Sequence, residues 1–314
     1  MDWTKPPRSP TGSAWCTMGA CIWTRFRKPA SGWWAPAARK GDGAMDDSLF
    51  SLIKAFPYAI AAGLLVGVAC ALLGVFVILK RVVFIGIALS EIAACGIAGA
   101  LLAGRPPLLG AILLTLGAVA LLAGPFESRR IPRDALLGIL FVGAASLSVL
   151  LVAGSGHGLA EVKALLYGDL ILASRADLRL LAAILVPATA ILLAFLRPMR
   201  YAFLDREAAI VLGVRPARWE RLFFLLLGLV VATASQAAGA LLVFCYLIVP
   251  PATALLLTRR LGLVLALAAA FAALATLAGI AISFRADWPT NPTICAASVA
   301  GLLLVLPVAR ARRT

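Results

Sequence analysis

Apolar residues run through this chain in long blocks broken by short polar or basic punctuation, and neither strand alternation nor a narrow helical stripe organises them. Blocks of this length match the roughly 20 residues that a helix needs to cross a hydrocarbon core about 30 Å thick. The pattern predicts nine membrane-spanning helices near 57–79, 83–103, 107–124, 134–154, 178–197, 221–238, 240–258, 261–283 and 290–308. Leu222 to Leu257 is too long for one crossing, and Ser235, Gln236 and Gly239 mark its break, either a full turn or a short re-entrant one. The fold class expected is therefore all-α, a polytopic membrane protein.

Composition agrees with that solvent. Apolar residues make up 62% of 314 positions and charged residues 14%, against about a quarter charged in soluble domains. The formal net charge of +15 could suggest nucleic acid, but the basic residues sit in short loops between apolar blocks, so no nucleic-acid partner is expected. Anionic membrane lipids are the implied acidic partner.

Placing the first helix end outside collects Lys80 and Arg81, then Arg129, Arg130 and Arg133, then 197–221, then Arg259 and Arg260, then Arg310, Arg312 and Arg313 on the inner side. An inner-membrane protein with its N-terminus outside and its C-terminus cytoplasmic is expected. One crossing more or fewer would split these loops between the two sides.

Residues 1–44 differ from the rest. They hold five of the seven tryptophans and seven basic residues, with no helical period and no signal-like apolar run. The expectation is a disordered or mis-annotated extension, with translation starting naturally at Met45 and the membrane domain covering 45–314; a basic arm lying on the membrane is the rival.

Chemistry-bearing motifs are few. No Gly-x-x-x-x-Gly-Lys-Ser/Thr phosphate loop occurs, so any ATP that drives the protein must bind a partner. No Ser/His/Asp arrangement occurs either, and an enzyme is not expected. His157, the one histidine, falls in an outer loop, where solvent exposure is the plainer expectation. Cys70, Cys95, Cys245 and Cys295 sit singly in apolar blocks, as small buried hydrophobes do. Gly63 and Gly67, and the run Gly96, Gly99 and Ala100, suit close packing of helices within one chain.

Within the longest basic loop, Asp205 to Val214 has the shape of a short helix: Asp205 and Glu207 at its start and Gly213 at its end suit the helix dipole and a C-terminal stop. It could dock a soluble partner or lie on lipid.

Ordered segments then carry a resemblance. They are Gly74 to Arg81 before Phe84-Ile85-Gly86; Asp134-Ala135 before Gly138-Ile139 and Phe141; Leu165 to Asp169; Asp205, Glu207, Ala208 and Gly213; Gly239 to Val243 leading into Pro250 to Ala254; and Asp287 to Thr290. From about Pro57 to Val308 the chain resembles the ABC-3 permeases, which import zinc, manganese or iron. The resemblance implies a type II importer permease fold and no cofactor bound by this chain, with a divalent metal ion as transported substrate. It also implies an ABC ATPase subunit, a periplasmic or lipid-anchored substrate-binding protein and a second permease copy forming a homodimer, or a similar permease paired with this one. The element near 203–214, with Asp205, Glu207, Ala208 and Gly213, would be the coupling helix seated in the ATPase.

One departure bears on the cargo. Metal-importing relatives usually carry Gly-Asp-Ala-Leu-Ser-His in the second span, and here the stretch reads Gly86-Ile87-Ala88-Leu89-Ser90-Glu91. Ile87 cannot ligate. Glu91 lies mid-helix, where an ionised carboxylate costs about 2.5–3.5 kcal/mol on insertion scales, so it should face a cavity or partner. Ser90 and Glu91 are the expected pathway residues and Glu91 the expected metal contact; a structural or protonated carboxyl and a different substrate stay open. The functional rivals are a permease for a siderophore- or cobalamin-type chelate and an ion-coupled secondary transporter.

Overall fold

Helix is the one regular structure among the described residues, which are 57–123, 133–154, 170, 174–204 and 215–311 of a computed structural model. In chain order the helices are α1 Pro57–Leu79, α2 Val83–Leu102, α3 Pro107–Ala123, α4 Arg133–Gly154 and α5 Arg175–Ala194. They continue as α6 Leu196–Leu204, α7 Pro216–Ala238, α8 Ala240–Leu257, α9 Leu261–Ala286 and α10 Thr290–Ala311. The nine expected crossings map onto all of these but α6. Seven are long and apolar enough to span a bilayer; α3 and α4 carry shorter apolar stretches, Pro107–Leu121 and Ala135–Leu151.

Local chemistry moves two starts upstream of the apolar blocks. At α5, the Ser174 hydroxyl accepts from the Asp177 amide while the Asp177 carboxylate accepts from the Ser174 amide, a reciprocal capping box. At α7, Pro216 occupies the first turn, where its missing N–H costs nothing, and the helix extends through Arg218 and Glu220 before the apolar run begins.

α1 lies at the centre, packed against α8 and α9 and also against α5 and α7; α2 packs on α3 and α4. Phe76, Phe223 and Tyr246 are the largest side chains of the buried core. Glycines set how closely these helices approach. A Cβ on Gly67 would lie 3.2 Å from the Tyr246 ring, and one on Gly279 would lie 2.5 Å from the Ile294 Cα. Gly96 of α2 and Gly110 of α3 abut backbone to backbone, so a Cβ on either would strike the other's carbonyl oxygen. The small residues thus pack helices within one chain, as their spacing predicts. Outward-facing leucines such as Leu113, Leu150, Leu274 and Leu304 remain exposed on α3, α4, α9 and α10, the surface a bilayer covers.

The 235–239 break is a single residue. Gly239 alone joins α7 to α8, at φ 77° and ψ 157°, a conformation open almost only to glycine. Asn291 at the start of α10 donates to the Ala238 carbonyl, 2.9 Å away, tying this joint to the last helix. Farther along α8, Pro250 and Pro251 remove two helical N–H donors. One carbonyl that loses its helical partner is Leu247, four residues before Pro251, and Gly74 of α1 packs directly on it.

Three of the four cysteines expected to be buried are so, and the fourth is partly exposed. Cys70 and Cys95 are buried, as small hydrophobes are. Cys245 is buried as well, and Cys295 is partly exposed.

Candidate functional site

α2 presents an open stripe along one side. Phe84 is 62% exposed, and Ile87 and Glu91 are partly exposed, while Gly86, Ala88, Leu89, Ser90 and Ile92 are buried. Steps of three and four residues put Phe84, Ile87 and Glu91 on one face. Glu91 is the one charged residue of the helix and stands midway along it, on the side that this chain leaves partly open. Among the described residues no ion pair or hydrogen bond engages Glu91.

Ser90 and Glu91, expected together in a pathway, are separated by the helix. The Ser90 side chain is 1% exposed, and its hydroxyl donates to the Gly86 carbonyl at 2.8 Å. Its proton is used within α2, and Glu91 alone reaches the open side. No group of three or more His, Cys, Asp or Glu that could hold a metal occurs among the described residues. One carboxylate per chain is what α2 offers a cation.

Asp205, Glu207, Ala208 and Gly213 lie outside the described residues, as do His157, Glu161 and Asp169. Both flanks of the 205–214 segment are described: α6 leads into it and α7 leads out of it. Sequence reasoning missed the residue that joins these flanks. Lys80, directly after α1, places its ammonium 3.1 Å from the Glu220 carboxylate of α7. It also stands 5.0 Å from the Phe203 ring centroid of α6 and 4.7 Å from that of Phe224 on α7. A lysine at the end of an apolar block looks like an ordinary flanking charge, and nothing local marks it otherwise.

A bundle of membrane-length helices with a partly exposed carboxylate inside one of them defines a polytopic α-helical membrane protein. Residues 53–309 match the ABC 3 transport family, and the chain belongs to that family, in which ATP hydrolysis resides on a partner. The "Manganese transport system membrane protein MntC" of Halalkalibacterium halodurans is 33% identical over 238 residues, covering 75% of this chain and 81% of that protein. The "Chelated iron transport system membrane protein YfeC" of Yersinia pestis is 30% identical over 248 residues, covering 77% and 84%. Among solved structures, PsaBC from Streptococcus pneumoniae, in complex with a Fab, shares the fold with a TM-score of 0.74 at 23% identity, over 82% of this chain and 94% of that one.

Proposed function

We propose that this chain is the pathway-forming permease of an importer for a divalent metal ion of the manganese, iron or zinc group. One observation carries the proposal: a partly exposed carboxylate without a partner, midway along an apolar helix. Left against lipid, Glu91 would carry the insertion cost given above, so the open stripe of α2 faces a polar route or a second copy of the chain. A carboxylate oxygen suits hard and borderline divalent cations. Two copies would bring two carboxylates to one passage. The names of the manganese and chelated-iron relatives support the cargo class.

The remaining parts follow from the same scheme. A separate ATPase seats on the 205–214 segment through Asp205, Glu207, Ala208 and Gly213, and a substrate-binding protein delivers cargo from outside. The basic loops support an N-terminus outside, a cytoplasmic C-terminus and a place in the inner membrane among anionic lipids. Transport is a change of access: ATPase closure favours one state of the pathway and opening favours the other.

A metal chelate is the second cargo that an observation favours. Ile87 shares the open stripe with Glu91 and supplies no ligand. Proteoliposomes holding permease, ATPase and receptor separate the two. Glu91→Gln should reduce uptake of bare radiolabelled metal to background while the ATPase stays bound. Wild-type uptake of bare metal by that variant would remove Glu91 from the pathway; loss of bare-metal uptake with chelate uptake intact would divide the two cargoes.

A further inference from the structure

Lys80 occupies a rigid corner. Its amide donates to the Phe76 carbonyl at 3.0 Å, and the next two amides close the end of α1, Arg81 N–H to Ile78 at 2.9 Å and Val82 N–H to Val77 at 3.1 Å. Arg81 takes the left-handed conformation at φ 58°, and α2 begins at Val83. The α1–α2 turn therefore leads without slack into the helix that carries Glu91.

From this corner Lys80 reaches both flanks of the 205–214 segment. Phe203 is the penultimate residue of α6, Glu220 lies near the start of α7, and the ammonium meets both. Behind it the rings interlock: Phe203 lies 5.1 Å from Phe223 and 5.9 Å from Phe76, and Phe76 lies 6.1 Å from Phe223. The Lys80 and Glu220 side chains are 16% and 26% exposed, so water screens this pair less than it would one on an open surface. The aromatic faces add attraction for the same cation. One ammonium thus ties the end of α6, the start of α7 and the α1–α2 turn into one corner.

We propose that Lys80 is a transmission staple: a positioning residue that passes displacement of the 205–214 segment to the α1–α2 turn, and through α2 to Glu91. The proposal rests on the ATPase seat at 205–214 put forward above. It goes further in assigning the route by which that seat reaches the pathway. Without the staple, the two flanks can shift while α2 stays in place, and ATP turnover then runs without transport. A group serving the fold alone would not separate those two activities.

The test uses the complete complex of permease, ATPase and receptor in proteoliposomes, with ATP hydrolysis and manganese uptake measured together. Lys80→Met is expected to keep its ATPase and continue hydrolysis, while metal moved per ATP falls about tenfold, within the range of ordinary coupling energies. Lys80→Arg should retain coupling, and the swap Lys80→Glu with Glu220→Lys should recover part of it. Unchanged metal per ATP in Lys80→Met overturns the staple. So does a Lys80→Met chain that unfolds and is not restored by arginine or by the swap, because the pair then serves folding alone. The two proposals fail apart: retained ATPase binding in Glu207→Ala removes the seat, whereas unchanged coupling in Lys80→Met removes the staple.

Discussion

Tyr246 lies wholly inside the bundle and still finds a partner for its hydroxyl. Thr276 donates its one proton to the Ala272 carbonyl at 2.7 Å, so the tyrosine is the donor in the 2.5 Å contact between the two side chains. Gly67 leaves room for the ring on the α1 side. Tyr246→Phe keeps the packing and removes the donor, and should lower stability by about 0.5–1.5 kcal/mol. Denaturant-driven unfolding in mixed micelles measures this, and Gly67→Val should cost more because the ring itself must move. At this scale legibility was uneven. Glu91 and the absence of a ligand at position 87 are plain in the sequence, because a carboxylate in an apolar block stands out against its neighbours. The role of Lys80 is not, because its partners Phe203, Glu220 and Phe224 lie far along the chain and local pattern carries no trace of them.

Among the elements, the joint between α7 and α8 concentrates the most constraint in the fewest atoms. Gly239→Ala would force a side chain into a backbone conformation that costs about 1–3 kcal/mol. The variant should extract folded but lose thermal stability, which a fluorescence-detected size-exclusion melt would show; an unchanged melt would mean that the joint relaxes to another geometry. Ser235, Gln236 and Gly239 marked the break, but not that one residue suffices for it. Two of the resembling segments turn out to meet. Gly74 belongs to the first and Pro251 to the fifth, and the Leu247 carbonyl that Pro251 leaves without its helical donor is the surface on which Gly74 packs. Such a pairing is invisible to periodicity, because it depends on a donor that proline lacks rather than on a side chain that it has. Helix starts were misplaced for a related reason: Ser174 and Pro216 begin helices by capping and by a preset φ, whereas hydropathy registers only the apolar part.

At the scale of the whole molecule, the helices were legible because hydrocarbon asks about 20 apolar residues of each span, and seven of the nine expected crossings have that length among the described residues. Which helix stands at the centre was not, since an apolar face suits lipid and protein neighbours alike and only the packing decides which of them covers it. The orientation proposed from the basic loops can be checked directly. In a chain without native cysteines, Arg105→Cys should react with an impermeant maleimide on intact cells, and Arg259→Cys only after permeabilisation; the reverse result would invert the molecule. The contact between Gly96 and Gly110 has a mechanical consequence for such a transporter. Where side chains interlock, one rod can ratchet past another by moving its knobs to the next set of holes. Bare peptide pressed on bare peptide has no knobs to relocate, so at Gly96 and Gly110 the helix bearing the carboxylate meets its neighbour without the steps such a ratchet needs.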